Sequence, residues 1–525
     1  MPPGSLSNLR LRLAVAALAT AAVIPVASGT PLRSVPPFAP GFPIPIPRPV
    51  EYRPRWGSTV TVDLDRDGRA ELLASIPSGD LLLIERGGAR VSRWPPSLHD
   101  LPQPAWPVGE PGIGDLDGDG QDEVVACLNT GTTPRRAFLV AWRRDGSRVD
   151  GWPVEIPTLD PRAACSPGGT LMADLDRDGR AEVVQAIAPA EIDVYDGAGR
   201  PLAGWPFHPP RRASGVAPAL NARLAAADVD GDGTLEVIAV ESGLAPLLHA
   251  IGPAGAEAHW YPRLLPEVVS EQAPAAADLD GDGMAEVVQS TLPASTDFLR
   301  PLPSRLAIPV LPMEGATPVA GPPGALHTLH HDGGEAIGWP VPLSEGALWG
   351  SILADLDGDG RDEILQGDGD LLHGFDAEGR ALKGFPLTMR RLFTRAAARL
   401  DSGWVAGDLD GDGALDVMRA LGRMDAGGTA LRIAAIQSRN GAPVPGTPWT
   451  IEGLLPASNP TLVDLTGDGR PEVAVLAVDG ITGGWRLLAW NVAAFRGLGA
   501  GTKADTLRGW SPGTIGPVPL GADPR

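Results

Sequence analysis

The chain has 525 residues, with 64 Asp or Glu against 43 Lys or Arg and a net charge of −21. That balance excludes nucleic acid as an expected partner, since a negative surface repels a phosphate backbone. Its 67 Gly and 56 Pro suit a chain of many turns.

Residues 1–28 read as a secretory signal peptide. Arg10 and Arg12 form a charged start, Leu13 to Ala27 is apolar but short for a membrane span, and Val26-Ala27-Ser28 offers a small-residue cleavage site. This reading predicts export, to the medium, the periplasm or the cell envelope, with no transmembrane segment in the mature chain. Residues 29–55 are proline-rich and read as an extended spacer. Two other uses stay open for them: lying along the folded domain, or giving it a closing strand.

From residue 56 onward one nonamer recurs eight times, in steps of roughly fifty to sixty residues and one longer step. It has acids at positions one, three, five and nine, and Gly at six. The first loop carries Asp63, Asp65, Asp67, Arg69 and Glu71 at its odd positions. The second carries Asp115, Asp117, Asp119, Gln121 and Glu123, and the third Asp174, Asp176, Asp178, Arg180 and Glu182. The fourth has Asp228, Asp230, Asp232, Thr234 and Glu236, and the fifth Asp278, Asp280, Asp282, Met284 and Glu286. The sixth has Asp355, Asp357, Asp359, Arg361 and Glu363, and the seventh Asp408, Asp410, Asp412, Ala414 and Asp416. The eighth has Asp464, Thr466, Asp468, Arg470 and Glu472. Position two is Leu in seven loops and Val229 in one, so it is expected in the core.

Like charges this dense repel unless a hard cation sits among them, and Ca²⁺ takes six to eight oxygen ligands. The variable seventh position fits a site that uses only its backbone carbonyl. All forty odd-position residues are therefore expected to hold up to eight Ca²⁺. Thr466 removes one carboxylate, which makes the eighth site the weakest. An EF-hand needs a bidentate acid at position 12, where this chain has Ala74, Ala126, Gln185, Ala239, Gln289, Gln366, Arg419 and Val475. The acid comes instead at position nine, and a β-rich run follows at once, so each loop joins two strands.

On these motifs the chain resembles the FG-GAP/VCBS repeat family of integrin-α-like, calcium-bearing β-propellers, over roughly residues 56–512. The repeat reads as four short strands, seen best in the sixth. There Ser351 to Ala354, Glu363 to Gly367 and Asp370 to Phe375 precede a fourth strand ending in Gly384-Phe385-Pro386. That aromatic tag recurs at Trp94, Trp152, Trp205, Tyr261, Trp339, Trp449 and Trp510, where blade-to-blade packing is its expected role. The fold expected is all-β, a propeller of eight four-stranded blades (seven is the runner-up) spanning 56–512, with a tail at 513–525.

Residues 291–324 form a proline-rich insertion in blade five. Cys127 and Cys165 fall close together in neighbouring blades, either as an intramolecular disulfide or as two buried thiols. His327, His330 and His331 are expected on a surface strand. No catalytic motif is visible. Arg135, Arg136, Arg211, Arg212, Arg390, Arg391, Arg395 and Arg399 fall on the face opposite the acidic loops, and Arg143, Arg144 and Arg148 on the loop side. The resemblance implies ligand recognition on that opposite face. The function expected is a binding scaffold for a protein or an acidic polysaccharide. The alternative is a polysaccharide lyase-like enzyme, since some eight-bladed propellers similar to this one act on pectic sugars.

Overall fold

In a computed structural model of the chain, residues 38–46 and 57–491 are described, apart from short internal gaps and the longer segments 211–218, 294–322 and 389–397. The segment read as a signal peptide, most of the segment read as a spacer, nearly all of residues 291–324 and the segment read as a tail lie outside the described residues.

The described chain folds into eight antiparallel sheets and one extra two-stranded pair. Each sheet is a blade. Blade two has Gly112–Gly114, Glu123–Thr130, Ala137–Trp142 and Val154–Glu155 in that spatial order, with Ala105–Pro107 beside its second strand. Blade four has Ala225–Ala227, Glu236–Val240, Leu247–Ile251 and Arg263–Leu264. Blade six has Ile352–Ala354, Glu363–Asp368, Leu371–Phe375 and Leu387–Thr388.

The second strands are largely buried, and Glu123–Thr130 and Glu236–Val240 are buried along their whole length. A blade inside a ring has a neighbour on each side, so both faces of its sheet are covered. Alternate residues then serve two interfaces. Val124, Ala126 and Leu128 pack against Leu73 and Leu83 of blade one. Val125 and Cys127 pack against Val183 and Ile187 of blade three. This explains why the strand reads as an unbroken apolar run. Each such side chain contributes about 1.5–3 kcal/mol by leaving water. Cys127 and Cys165 are joined as a disulfide across the second of these interfaces.

The tag holds neighbouring blades together and stands at the head of the fourth strand, not at its end. In blade six Leu387–Thr388 pairs with the third strand after Pro386. The indole N–H of Trp152 donates to the carbonyl of Gly197 in the next blade at 3.0 Å, that of Trp205 to Pro253 at 2.9 Å, and that of Trp339 to Ala377 at 2.8 Å. The preceding glycine has no room for a side chain. A Cβ on Gly204, at φ +95°, would sit 1.9 Å from the carbonyl oxygen of Ala254. These aromatics are buried, which places them in blade-to-blade packing.

Part of the segment read as spacer closes the ring. Ile44–Ile46 pairs antiparallel with Trp485–Trp490, making it the outer strand of blade eight. It brings its own tag, Gly41-Phe42-Pro43. Like Phe385-Pro386 and Trp152-Pro153, the Phe42-Pro43 bond is cis, and Gly41 has φ +84°. Gly509-Trp510, expected to serve blade eight, lies outside the described residues. Blades eight and one share one core, in which Ile44, Ile46, Leu476 and Ala474 meet Leu72, Ala74 and Ile76. The hydroxyls of Thr59 and Thr461 lie 2.6 Å apart across the same seam.

Candidate metal centres

Every acidic loop is the turn between the first and second strands of its blade, and all eight share one internal scaffold. The acid at position nine ends the loop at a buried point of the second strand, and one of its oxygens accepts the N–H of position two. Glu236 takes Val229 at 3.0 Å, Glu182 takes Leu175 at 2.8 Å, and Asp416 takes Leu409 at 3.1 Å. The same bond joins Glu71 to Leu64, Glu123 to Leu116, Glu286 to Leu279, Glu363 to Leu356 and Glu472 to Leu465. Position two is buried in seven of the eight loops, as its apolar identity led one to expect, and half-buried at Leu356. The other oxygen of the position-nine acid is left facing the aspartates.

Position one organises the turn. In blade four, Oδ1 of Asp228 accepts the N–H of Gly231 at 2.7 Å and Oδ2 that of Gly233 at 3.0 Å. Asp278, Asp355, Asp408 and Asp464 repeat both bonds. The glycine at position six stands at φ near +90°, for example +94° at Gly233, the left-handed region that glycine enters freely.

In blades one to four the acids at positions one, three and nine each place an oxygen within 4.8 Å of the others. The position-five aspartate faces elsewhere with one oxygen. Oδ1 of Asp232 accepts the N–H of Thr234 at 2.7 Å, and Asp119, Asp178, Asp282, Asp359, Asp412 and Asp468 treat position seven alike. Asp357 lies outside the described residues. At the eighth loop the hydroxyl of Thr466 donates to Oε1 of Glu472 at 3.2 Å.

Burial pushes the position-nine acid up, to about 7 for Glu123, Glu182, Glu236, Asp416 and Glu472. The loop's own aspartates add to the rise, and the N–H of position two opposes it. A dication among those oxygens would offset the repulsion between these carboxylates. The donor set, all oxygen and partly preorganised, fits a hard cation such as Ca²⁺.

Side chains from other turns also reach these loops, and loop spacing gave no sign of them. In blade two Nη2 of Arg143 lies 2.8 Å from Oδ2 of Asp117. Nη2 of Arg144 lies 2.9 Å from Asp65 and 3.5 Å from Glu71 in the loop of blade one, and 2.9 Å from Glu85. Both arginines are thus on the loop side, as their place in the repeat indicated. Nε2 of Gln437 donates to Oδ2 of Asp410 at 3.0 Å. The register that reveals Arg143 and Gln437 is the residue at the end of the third strand, which points back at the loop of its own blade.

The histidines correct the surface-strand expectation. His327 is 2% exposed, with Nε2 3.0 Å from Oε2 of Glu267 and Nδ1 2.7 Å from Oε1 of Glu335. Strands alternate their faces, but in a ring both faces are interior. His330 and His331 lie just past the strand, at the acidic loop of blade five. On the opposite face, Arg136 is ion-paired with Glu155. Arg135, Arg211, Arg212, Arg390, Arg391 and Arg395 lie outside the described residues, as does the side chain of Arg399.

Fold and loops together define a β-propeller whose blades carry an acidic turn at the first hairpin. The FG-GAP-like repeat profile matches residues 63–126 and 115–185, and the same nonamer continues through blade eight. The chain is a β-propeller that carries FG-GAP-like repeats. No curated protein matches it in sequence. Among solved structures, the V. cholerae biofilm matrix protein Bap1 is similar at 14% identity and TM-score 0.50, over 84% of this chain and 89% of that one. The rhamnogalacturonan lyase YesW is similar at 14% identity and TM-score 0.40, over 87% of this chain and 90% of that one. At 14% identity the likeness to Bap1 is one of fold. Among the described residues no helix is long and apolar enough to cross a membrane.

Proposed function

We propose that this chain is an exported propeller stabilised by Ca²⁺ in its acidic loops, and that it serves as a binding scaffold for a protein or an acidic glycan. The observation that carries the reading is the convergence of positions one, three and nine on one point, repeated from blade to blade. The ligands at each point come from both strands of the inner hairpin, so an ion there clamps that hairpin. Binding to the folded state alone adds about 3 kcal/mol per site at ~200-fold saturation.

The disulfide between Cys127 and Cys165 suits an oxidising compartment, and a biofilm matrix protein shares the fold. Both support export. Two of the histidines held beside carboxylates, His249 and His327, are 0% and 2% exposed, out of reach of a polymer, which favours the binding role over lyase chemistry at those two residues.

The test uses the full chain. Elemental analysis is expected to find several equivalents of calcium, and a chelator to lower the melting temperature by ten degrees or more. A melt unmoved by chelator, with no calcium bound, defeats the cation reading. Co-sedimentation with a panel of acidic and neutral polysaccharides separates the two roles. Ultraviolet absorbance of unsaturated uronate growing with time would make the chain a lyase.

A further inference from the structure

The residue at the end of the third strand differs from blade to blade. It is Arg143 in blade two and Gln437 in blade seven, each turned toward the position-three aspartate of its own loop. In blade five it is His330. Its Nδ1 lies 3.1 Å from Oε1 of Glu286 and 4.0 Å from Oδ2 of Asp280. Those three residues each place one donor atom within 4.8 Å of the others. The next residue, His331, has its Nδ1 3.8 Å from Oδ2 of Asp282, and that nitrogen is buried without a hydrogen-bond partner.

We propose that the fifth loop is a mixed nitrogen–oxygen site for a d-block divalent cation of the Zn²⁺ or Co²⁺ type, ligated by Asp280, Glu286 and His330, with His331 and Asp282 at its rim. The proposal rests on the loops being cation sites and goes beyond that in the class of ion. Ca²⁺ takes oxygen ligands, so an imidazole adds nothing to its site. An imidazole does suit zinc, copper and nickel ions.

The geometry agrees. Two donors each about 2.1 Å from one ion stand about 3–4 Å apart, which brackets the 3.1 and 4.0 Å seen here. The donors are also held in place. Oε2 of Glu286 is fixed by the N–H of Leu279 at 2.8 Å, which leaves Oε1 toward His330. The turn bearing His330 is closed by two backbone bonds. The N–H of His330 donates to Gly334 at 2.9 Å and its carbonyl accepts from Gly333 at 2.8 Å.

The experiment strips the full-length protein of metal, loads it with Zn²⁺ in a large excess of Ca²⁺, dialyses it against Ca²⁺ buffer, and measures bound zinc. The expected result is one equivalent retained by the wild type. His330→Gln should bind Zn²⁺ at least about tenfold more weakly and retain none. It should keep its calcium content and its chelator-sensitive melt, which shows that it folds and that the other loops still bind. His208→Gln, at an exposed histidine beside Glu191 of blade three, should retain zinc like the wild type. Co²⁺ in place of Zn²⁺ should give a visible band that His330→Gln abolishes. No zinc retained by the wild type, equal retention by His330→Gln, or loss in His208→Gln would each overturn the proposal. If calcium is bound and zinc is not, only this inference fails. If neither binds, the reading of the loops fails with it.

Discussion

Ile44 lies opposite Leu487, so a strand from the start of the described chain is the outer strand of its last blade. The ring is therefore closed by contacts between sequence-distant segments. Opening it exposes the core that blade eight shares with blade one.

Ile44 and Ile46 are 6% and 5% exposed. Ile46→Asp places a charge in that core without a partner, and should cost about 3–5 kcal/mol. Val341→Asp, on the corresponding outer strand of blade five but half-buried, should cost distinctly less. Urea unfolding of the two variants checks the difference. Equal losses would mean that the seam carries no special load.

The blade tag separates hydrogen bonding from backbone shape. Trp205→Phe removes the bond to Pro253 and leaves the ring to pack, so about 1 kcal/mol should be lost. Gly204→Ala should cost more, because its Cβ meets the Ala254 carbonyl at 1.9 Å and φ is +95°. Thermal unfolding in calcium buffer ranks the pair, and the reverse order would contradict this account.

Thr466→Asp restores the missing carboxylate of loop eight. With calcium present, a site of full ligand charge should bind more tightly and raise the melting temperature. With chelator present, the added charge lies beside Asp464 and Glu472 and should lower it. Melts of variant and wild type in both buffers read the two signs, and a shift of one sign in both buffers would argue against cation binding at this loop.

His327 gives a pH dependence of defined sign. Burial disfavours its charged form, but the hydrogen bonds to Glu267 and Glu335 outweigh this and raise it from 6.5 to about 9. A group whose folded pKa is raised contributes its full stabilisation below the unfolded value and loses it as pH rises through the folded one. Stability should therefore fall between about pH 6.5 and 9. In His327→Gln that slope should be absent, which chemical denaturation at several pH values measures.

Much of the fold was legible because its determinants are local. Eight copies of one nonamer, each followed by an apolar run, give eight hairpins whatever surrounds them. The Leu at position two and the acid at position nine are seven residues apart, so a turn brings them together and periodicity exposes them. Gly41-Phe42-Pro43 was also readable, since it repeats the form of Gly384-Phe385-Pro386. It passed for spacer only because it precedes the first repeat instead of following the last.

What the sequence determined by itself is the blade: its strands, its acidic turn and the tag that opens its outer strand. These follow from spacing and residue chemistry within some fifty positions. Only the tertiary structure decided what meets across blades and between turns. Arg144 reaches Asp65 and Glu71 over more than seventy residues of chain. His330 joins Glu286 across the insertion, and His327 is buried between two glutamates. No local pattern encodes the partners of Arg144 and His327. They arise because closing the ring brings distant segments together and turns both faces of each sheet into interior, where a polar side chain must find a partner.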